Sequence, residues 1–251
     1  MPERRRLRQG LAAALLAPIA VAGLLMMAKE QQMKQETSPF DGRSNRALAQ
    51  AVARGDAAEI AAQATQARLH EQGDRQVTLL QWAMLSQQPQ SVQALLEMGS
   101  DAAAPGLDGN SALHTAATLQ DAQYLRTLLK RGAALNVRNT VTGATPLAAA
   151  VLAGREEQLR LLLAAGADAT LSDRLGDTPL HLAAKINAPR LALMLLQAGA
   201  DARARNRQGM NFQFYFSQTP AHLQNEELKA GYRELDGWLK GQRLATHYAQ
   251  Q

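Results

Sequence analysis

The chain has 251 residues, enough for one elongated domain with an amino-terminal appendage. It contains no cysteine, which excludes disulfides, thiol catalysis, thiolate metal sites and a lipid-modified amino-terminal cysteine. Its formal net charge is +5, but residues 1–28 hold four arginines and one glutamate, so the rest of the chain carries only +2. No nucleic-acid partner is therefore expected.

The first 28 residues differ from the rest. Leu11–Ala28 has no charged or polar side chain and follows Arg4, Arg5, Arg6 and Arg8. As a helix it would span about 27 Å, just enough for the hydrocarbon core. With arginines on the cytoplasmic side, residues 1–28 are predicted to be a signal anchor, a single-pass transmembrane helix that places the rest of the chain outside the cytoplasm. The composition, rich in alanine, leucine, glutamine and arginine, suggests a bacterium, so the membrane would be the inner membrane and the compartment the periplasm.

Two alternatives remain open for this segment. Ala22 and Ala28 each end a stretch that a signal peptidase could accept, so a cleaved signal peptide would leave a soluble periplasmic protein. A buried helix of a soluble protein is the least favoured interpretation, because such a helix seldom lacks a polar face. Residues 29–44 are interpreted as a linker.

Two phrases then recur through the chain, both at intervals of 33, 34 and 33 residues. The first begins with a hydroxyl residue, at Thr78, Ser111, Thr145 and Thr178. The second is a leucine pair followed by glycine, at Gly99, Gly132, Gly166 and Gly199. A shared period of this size predicts stacked copies of one small unit.

Each copy is predicted to be a pair of helices. A hydroxyl residue followed by proline, as in Thr145-Pro146 and Thr178-Pro179, favours a helix start, because the hydroxyl caps free N–H groups and proline suits the first turn. Alanines follow and allow close helix packing. The glycine after the leucine pair suits the left-handed conformation that ends a helix.

This pattern resembles the ankyrin repeat, whose signature is Thr-Pro-Leu-His-x-Ala-Ala followed by Leu-Leu-x-x-Gly-Ala-Asp. The match is nearly complete at Thr178–Ala184 with Leu195–Asp201. Ala148 and Gln81 replace the histidine in two other copies. The resemblance implies an all-α, ankyrin-type helix-turn-helix solenoid of about four repeats plus amino- and carboxy-terminal caps, preceded by one hydrophobic amino-terminal helix.

The ankyrin repeat domain is placed at residues 45–240. Its intervals are about 46–77, 78–110, 111–144, 145–177 and 178–210, with a carboxy-terminal cap at 211–240 and a tail at 241–251. The resemblance gives a structural role to one set of residues: Ser111, His114, Thr145, Pro146, Thr178, Pro179, His181, Gly99, Gly132, Gly166 and Gly199.

Aromatic residues concentrate in the predicted cap, where seven of the ten follow position 211. A core that closes the end of the stack is the favoured interpretation, and a hydrophobic docking patch is the alternative. In the predicted helix around Asn225–Lys240, four residues share one face: Leu228, Tyr232, Leu235 and Leu239.

The sequence offers no catalytic, cofactor or metal site. The five histidines lack metal-ligand spacing, and no nucleophile motif or phosphate-binding loop occurs. The acidic pairs Glu156-Glu157 and Glu226-Glu227 fall at helix starts, where they complement the helix dipole. We therefore expect no enzyme activity, no cofactor and no small-molecule substrate.

The resemblance instead implies a protein partner that contacts the loop tips and the concave face of the first helices. The predicted contact residues are Leu107, Asp108, Asn110, Arg138, Arg174, Leu175, Asp177, Lys185, Ile186, Arg205, Arg207 and Met210. Pro105, Asn139, Thr140, Val141, Ser172, Arg203, Thr118, Leu119 and Leu152 belong to the same loops and faces.

The function that follows is a non-enzymatic protein-binding module, tethered to the membrane through residues 11–28 and binding its partner outside the cytoplasm, as an enzyme regulator or a toxin-immunity protein. The alternative is a structural scaffold that organises a membrane complex, with Leu11–Ala28 itself a contact surface. An enzyme would need its chemistry in residues 211–251, where no supporting triad is visible.

Overall fold

The computed structural model describes residues 38–40, 44–218 and 225–244. Within these ranges the chain forms thirteen α-helices and no strand, which confirms the all-α prediction. Residues 11–28 lie outside the described ranges, so the predicted amino-terminal helix stays a prediction. No helix among the described residues has both the length and the apolar character needed to cross a bilayer.

The helices alternate between two rows. The first row contains α1 (Arg46–Arg54), α4 (Leu79–Leu85), α6 (Ala112–Thr118), α8 (Pro146–Leu152), α10 (Pro179–Lys185) and α12 (Phe212–Phe216). The second row contains α2 (Ala57–Gln63), α5 (Pro89–Glu97), α7 (Gln123–Lys130), α9 (Glu156–Ala164), α11 (Pro189–Gln197) and α13 (Glu226–Gly241). The short α3 (Gln66–His70) follows α2.

The first-row helices begin where the hydroxyl residues predict. Thr145 accepts a hydrogen bond from the Ala148 N–H at 3.3 Å, and Thr78 accepts one from the Gln81 N–H at 3.2 Å. Pro146 and Pro179 occupy the first helical turn, where a missing N–H leaves nothing unpaired. Local capping therefore sets the start of each copy.

The second-row helices end at the repeated glycines. Gly99, Gly132, Gly166 and Gly199 have φ between 72° and 94°, a left-handed conformation that a side chain would strain. The residue after each glycine donates its N–H back to a leucine carbonyl of the helix, as Ala167 does to Leu162 at 2.9 Å. This closure turns the chain into the next loop.

The rows stack into one continuous core. Each first-row helix packs on the next, from α1 through α4, α6, α8 and α10 to α12. Buried alanines such as Ala116, Ala150 and Ala183 keep the helices close, and buried leucines such as Leu113 and Leu147 fill the space between them. Each such leucine contributes about 2 kcal/mol of burial that only the neighbouring copies supply.

Among the described residues, the carboxy-terminal aromatics form a cap core, apart from Phe214; Tyr248 lies outside the described ranges. Phe212 and Phe216 are buried and meet edge to face, and Phe216 packs on Tyr232 of α13 at a centroid distance of 5.3 Å. Leu235 and Leu239 of α13 are fully buried, as their shared face predicts. Phe214 is 37% exposed at the end of the stack.

Candidate protein-binding surface

The two signature histidines are buried connectors between repeats. The Ser111 N–H donates to His114 Nδ1 at 3.2 Å, so that nitrogen carries no proton. The proton is then on Nε2, which donates to the Ala144 carbonyl, 3.0 Å away and in the loop that starts the next copy. His181 makes the equivalent bonds, to the Thr178 N–H and the Met210 carbonyl.

Both histidines are therefore neutral structural groups. Burial lowers the pKa of His114, while its hydrogen bond to the Ala144 carbonyl acts in the opposite direction. Burial also lowers the pKa of His181, although Asp177 opposes the shift. A neutral imidazole with both nitrogens bonded has no position free for a substrate or a metal ion.

The loop arginines that are predicted to contact a partner also connect neighbouring loops by hydrogen bonds. Arg138 Nη1 donates to the Ser172 carbonyl at 2.6 Å, and Arg174 Nη2 donates to the Thr140 carbonyl at 2.8 Å. At the other end of the stack Arg75 pairs with Asp108 at 3.3 Å. The loop tips are thus held in fixed positions, which reduces the entropy that binding would cost.

Two apolar side chains stand out on these fixed loops. Val141 is 61% exposed and Leu175, on the next loop along the stack, is 65% exposed. On the first row Leu152, at the end of α8, is 38% exposed. Arginine is enriched in protein interfaces, and exposed apolar side chains are the candidates for direct contact with a partner.

The other predicted contact residues divide by exposure. Asp108, Arg138, Arg174, Leu175, Arg205 and Arg207 are exposed. Leu107, Asn110, Lys185, Ile186 and Met210 are half-buried. Asn110 also accepts a hydrogen bond from Asn139 at 2.7 Å. The exposed set is the part of the prediction that a partner can reach without rearrangement.

Asp177 is a correction to the predicted contact set. It is only 2% exposed, forms an ion pair with Lys185 and accepts a hydrogen bond from Asn206 Nδ2 at 2.7 Å. Lys185 in turn lies 4.8 Å from the ring centre of Tyr215. The carboxylate therefore fixes two neighbouring repeats to each other, because burial demands that its charge be paired.

The acidic pairs at helix starts remain at the surface. Glu156 pairs with Arg160, and Glu157 pairs with Arg126 of the preceding copy. In the described ranges no group of three His, Cys, Asp or Glu side chains is placed to hold a metal ion.

Sequence reasoning missed Arg243, which follows α13 and lies beside Arg203 and Arg205 at one cleft. No motif marks it, because its position depends on how α13 packs against the last repeat.

A stack of capped helix pairs with carbonyl-bonded histidines and tied loops is the architecture of an ankyrin-repeat protein. A family model described as "Ankyrin repeats (3 copies)" matches residues 113–206. The chain belongs to the ankyrin-repeat family.

The chain is also similar to individual proteins. The chain is 82% identical over 176 residues to Protein PhlB of Serratia liquefaciens, a match that covers 70% of this chain and 78% of PhlB. It is 37% identical over 86 residues to the E3 ubiquitin-protein ligase KEG of Arabidopsis thaliana, but that match spans only 5% of KEG.

A solved structure is similar over most of the chain. The ankyrin repeat domain of Bcl-3, described as a unique member of the IkappaB protein family, aligns with a TM-score of 0.64 and 26% identity. The alignment covers 77% of this chain and 86% of the Bcl-3 domain.

Proposed function

We propose that this chain is a non-enzymatic binding module that holds a protein partner against its loop tips and first-row helices. Ankyrin repeats are protein-binding modules, and the fold is generally non-enzymatic. The observation that carries the proposal is the pair of exposed aliphatic side chains, Val141 and Leu175, on loops that backbone and arginine hydrogen bonds hold in place.

The mechanism is rigid presentation. The backbone N–H of Arg174 donates to the Thr142 carbonyl, and the backbone N–H of Arg207 donates to the Leu175 carbonyl. These loops are therefore bonded to their neighbours. A preformed surface loses little entropy on binding, and its affinity comes from complementarity. Such a surface suits a stoichiometric regulator of an enzyme or an immunity protein that neutralises a toxin.

We further propose that the binding surface is displayed outside the cytoplasm and tethered through residues 11–28. This part rests on the apolar segment and its four preceding arginines. Intact mass of the protein extracted from membranes tests it. A mass that includes residues 1–28 supports the anchor, whereas a product that begins near Gly23 or Lys29 supports cleavage of a signal peptide.

Site-specific crosslinking in the native host tests the binding surface. A photo-reactive amino acid replaces Leu175 in one variant and Met98 in a second. Met98 is the matched control, because it is an exposed apolar residue, 36% accessible, that follows the second-row helix α5. We expect the Leu175 position to capture one protein in a defined ratio and the Met98 position not to capture it.

Equal capture at both positions would refute the proposed surface. A scaffold of a membrane complex gives a different result, because its function is lost when Leu11–Ala28 is replaced by an unrelated span and is retained when Val141 and Leu175 are changed to serine.

A further inference from the structure

In two loops of the stack, the side chain near the start of the loop reaches a carbonyl of the next loop. Gln72 Nε2 donates to the Pro105 carbonyl at 2.6 Å, and Arg138 Nη1 donates to the Ser172 carbonyl at 2.6 Å. The partners are 33 and 34 residues apart, which is one repeat. These side chains therefore bridge neighbouring copies.

Arg205 holds the position of Arg138 in the last loop. It keeps the bond within its own loop, donating Nη1 to the Gly209 carbonyl at 2.6 Å, as Arg138 does to the Gly143 carbonyl at 3.0 Å. The bond across to a following loop has no counterpart among the described residues, because α13 follows instead of another repeat. Among the described residues, no loop carbonyl therefore takes the acceptor position beyond Arg205.

A cleft of about 460 Å³ occupies this position. Arg203, Arg205 and Arg243 line it, together with the apolar side chains of Ala202 and Leu244. Among the described residues, no carboxylate lines it and none of the three arginines forms an ion pair. The nearest acid in sequence, Asp201, accepts the backbone N–H of Arg203 and so belongs to its own loop.

The backbone at Arg243 adds a second observation. Arg243 has φ 56° and donates its N–H to the Lys240 carbonyl, and Leu244 donates to the Leu239 carbonyl, so α13 ends as the glycine-terminated helices do. Glycine is the favoured residue at such a position, and a side chain there strains the backbone. An arginine at this position places a third cation at the cleft despite that strain.

We propose that this cleft binds an acidic peptide segment of the protein partner, with the three guanidinium groups holding adjacent glutamate or aspartate carboxylates. Arginine binds carboxylates through paired, charge-assisted hydrogen bonds, and Ala202 and Leu244 contact the apolar part of the segment. A nucleic acid fits less well, because the chain beyond residue 28 carries only +2 and a polyphosphate needs an extended basic track. This inference rests on the proposed protein-binding function.

The test measures fluorescence anisotropy with the purified full chain and a labelled peptide that contains three consecutive glutamates flanked by leucines. A peptide with glutamines in place of the glutamates is the ligand control. Arg205→Gln and Arg243→Gly are the test variants, and Arg54→Gln, an exposed arginine at the opposite end of the stack, is the protein control.

We expect each test variant to weaken binding about tenfold, and the Arg54→Gln variant to match the unaltered chain. In Arg243→Gly, this weaker binding should appear while the melting temperature stays the same or rises, because glycine relieves the left-handed strain. Weakened binding in that variant therefore cannot come from unfolding.

Three results would overturn the proposal. The first is that the glutamine peptide binds as tightly as the glutamate peptide, and the second is that both test variants bind the glutamate peptide as tightly as the unaltered chain does. The third is that a single-stranded oligonucleotide displaces the peptide at a lower concentration than unlabelled peptide does. Each of them leaves the Leu175 crosslinking result untouched. If crosslinking at Leu175 fails while the glutamate peptide binds as expected, the loop surface is wrong and the acidic-segment cleft stands.

Discussion

Gln81 and His114 occupy the same position in consecutive first-row helices, α4 and α6, and make the same two connections. Each accepts the N–H of its own cap residue at 3.2 Å, Thr78 for Gln81 and Ser111 for His114. Each donates to the carbonyl before the next helix, Asn110 at 2.9 Å and Ala144 at 3.0 Å. An amide and an imidazole thus bridge equivalent gaps, and only the imidazole can take up a proton.

The loops around the two side chains differ accordingly. Gln81 Oε1 also accepts the Leu107 N–H at 2.9 Å, so the glutamine organises the next loop itself. In the following loop, Asn139 holds the backbone instead, because its Oδ1 accepts the N–H groups of Val141 and Thr142. Gly106 leaves room for the glutamine, because a Cβ there would lie 2.1 Å from Gln81 Oε1. Gln81 and Gly106 therefore form a matched pair.

The largest effect is expected from removing a bridge altogether. His114→Ala leaves the buried Ser111 N–H without its acceptor, breaks the link to Ala144 and opens a small cavity. We expect the free energy of unfolding to fall by about 3 kcal/mol, measured by urea denaturation at neutral pH.

His114→Gln is the matched control, since the amide of Gln81 already bridges the equivalent gap. It should recover most of the loss and remain within about 1 kcal/mol of the unaltered chain. Equal destabilisation by alanine and glutamine would contradict the claim that the hydrogen bonds, and not the ring shape, matter.

A smaller effect is expected from disturbing the matched pair. Gly106→Ala places a methyl group against the buried Gln81 amide, which cannot move without losing its bonds to Thr78 and Leu107. We expect a loss of about 2 kcal/mol in urea denaturation.

A double-mutant cycle with Gln81→Ala sharpens this result. Once the Gln81 amide is absent, the methyl group added at position 106 has space. Gly106→Ala should therefore lower the free energy of unfolding much less in the Gln81→Ala background than it does alone. Additive losses in the double variant would show that the steric contact with Gln81 is not the cause.

The sequence predicts those features of the molecule that depend on local chemistry. Thr145 and Pro146 start α8, and Gly166 ends α9, because capping and backbone freedom act within a few residues. Exposure depends on neighbouring copies. Asp177 is buried because Lys185 and Asn206 close over it, so its place in a loop gave no sign of burial.

The smallest effect, and the one that separates imidazole from amide, is the dependence of stability on pH. Burial lowers the pKa of His114 in the folded chain below its ordinary value. As pH falls through about 6.5, the unfolded chain takes up a proton at this histidine while the folded chain stays neutral, so stability falls with decreasing pH. The contribution of neutral His114 to the free energy of unfolding is complete above that pH. As pH falls further, it is lost at a rate of up to about 1.4 kcal/mol per pH unit.

His114→Gln isolates this contribution, because carboxylates and His181 titrate alike in both chains. We expect the unaltered chain to be the more stable at pH 7.5 and the stability difference to shrink, then reverse, as pH approaches 5, measured by urea denaturation across that range. A difference that stays constant with pH would mean that the folded chain accommodates a charged His114. That outcome requires the Nδ1 contact with the Ser111 N–H to break, because a protonated nitrogen cannot accept a hydrogen bond.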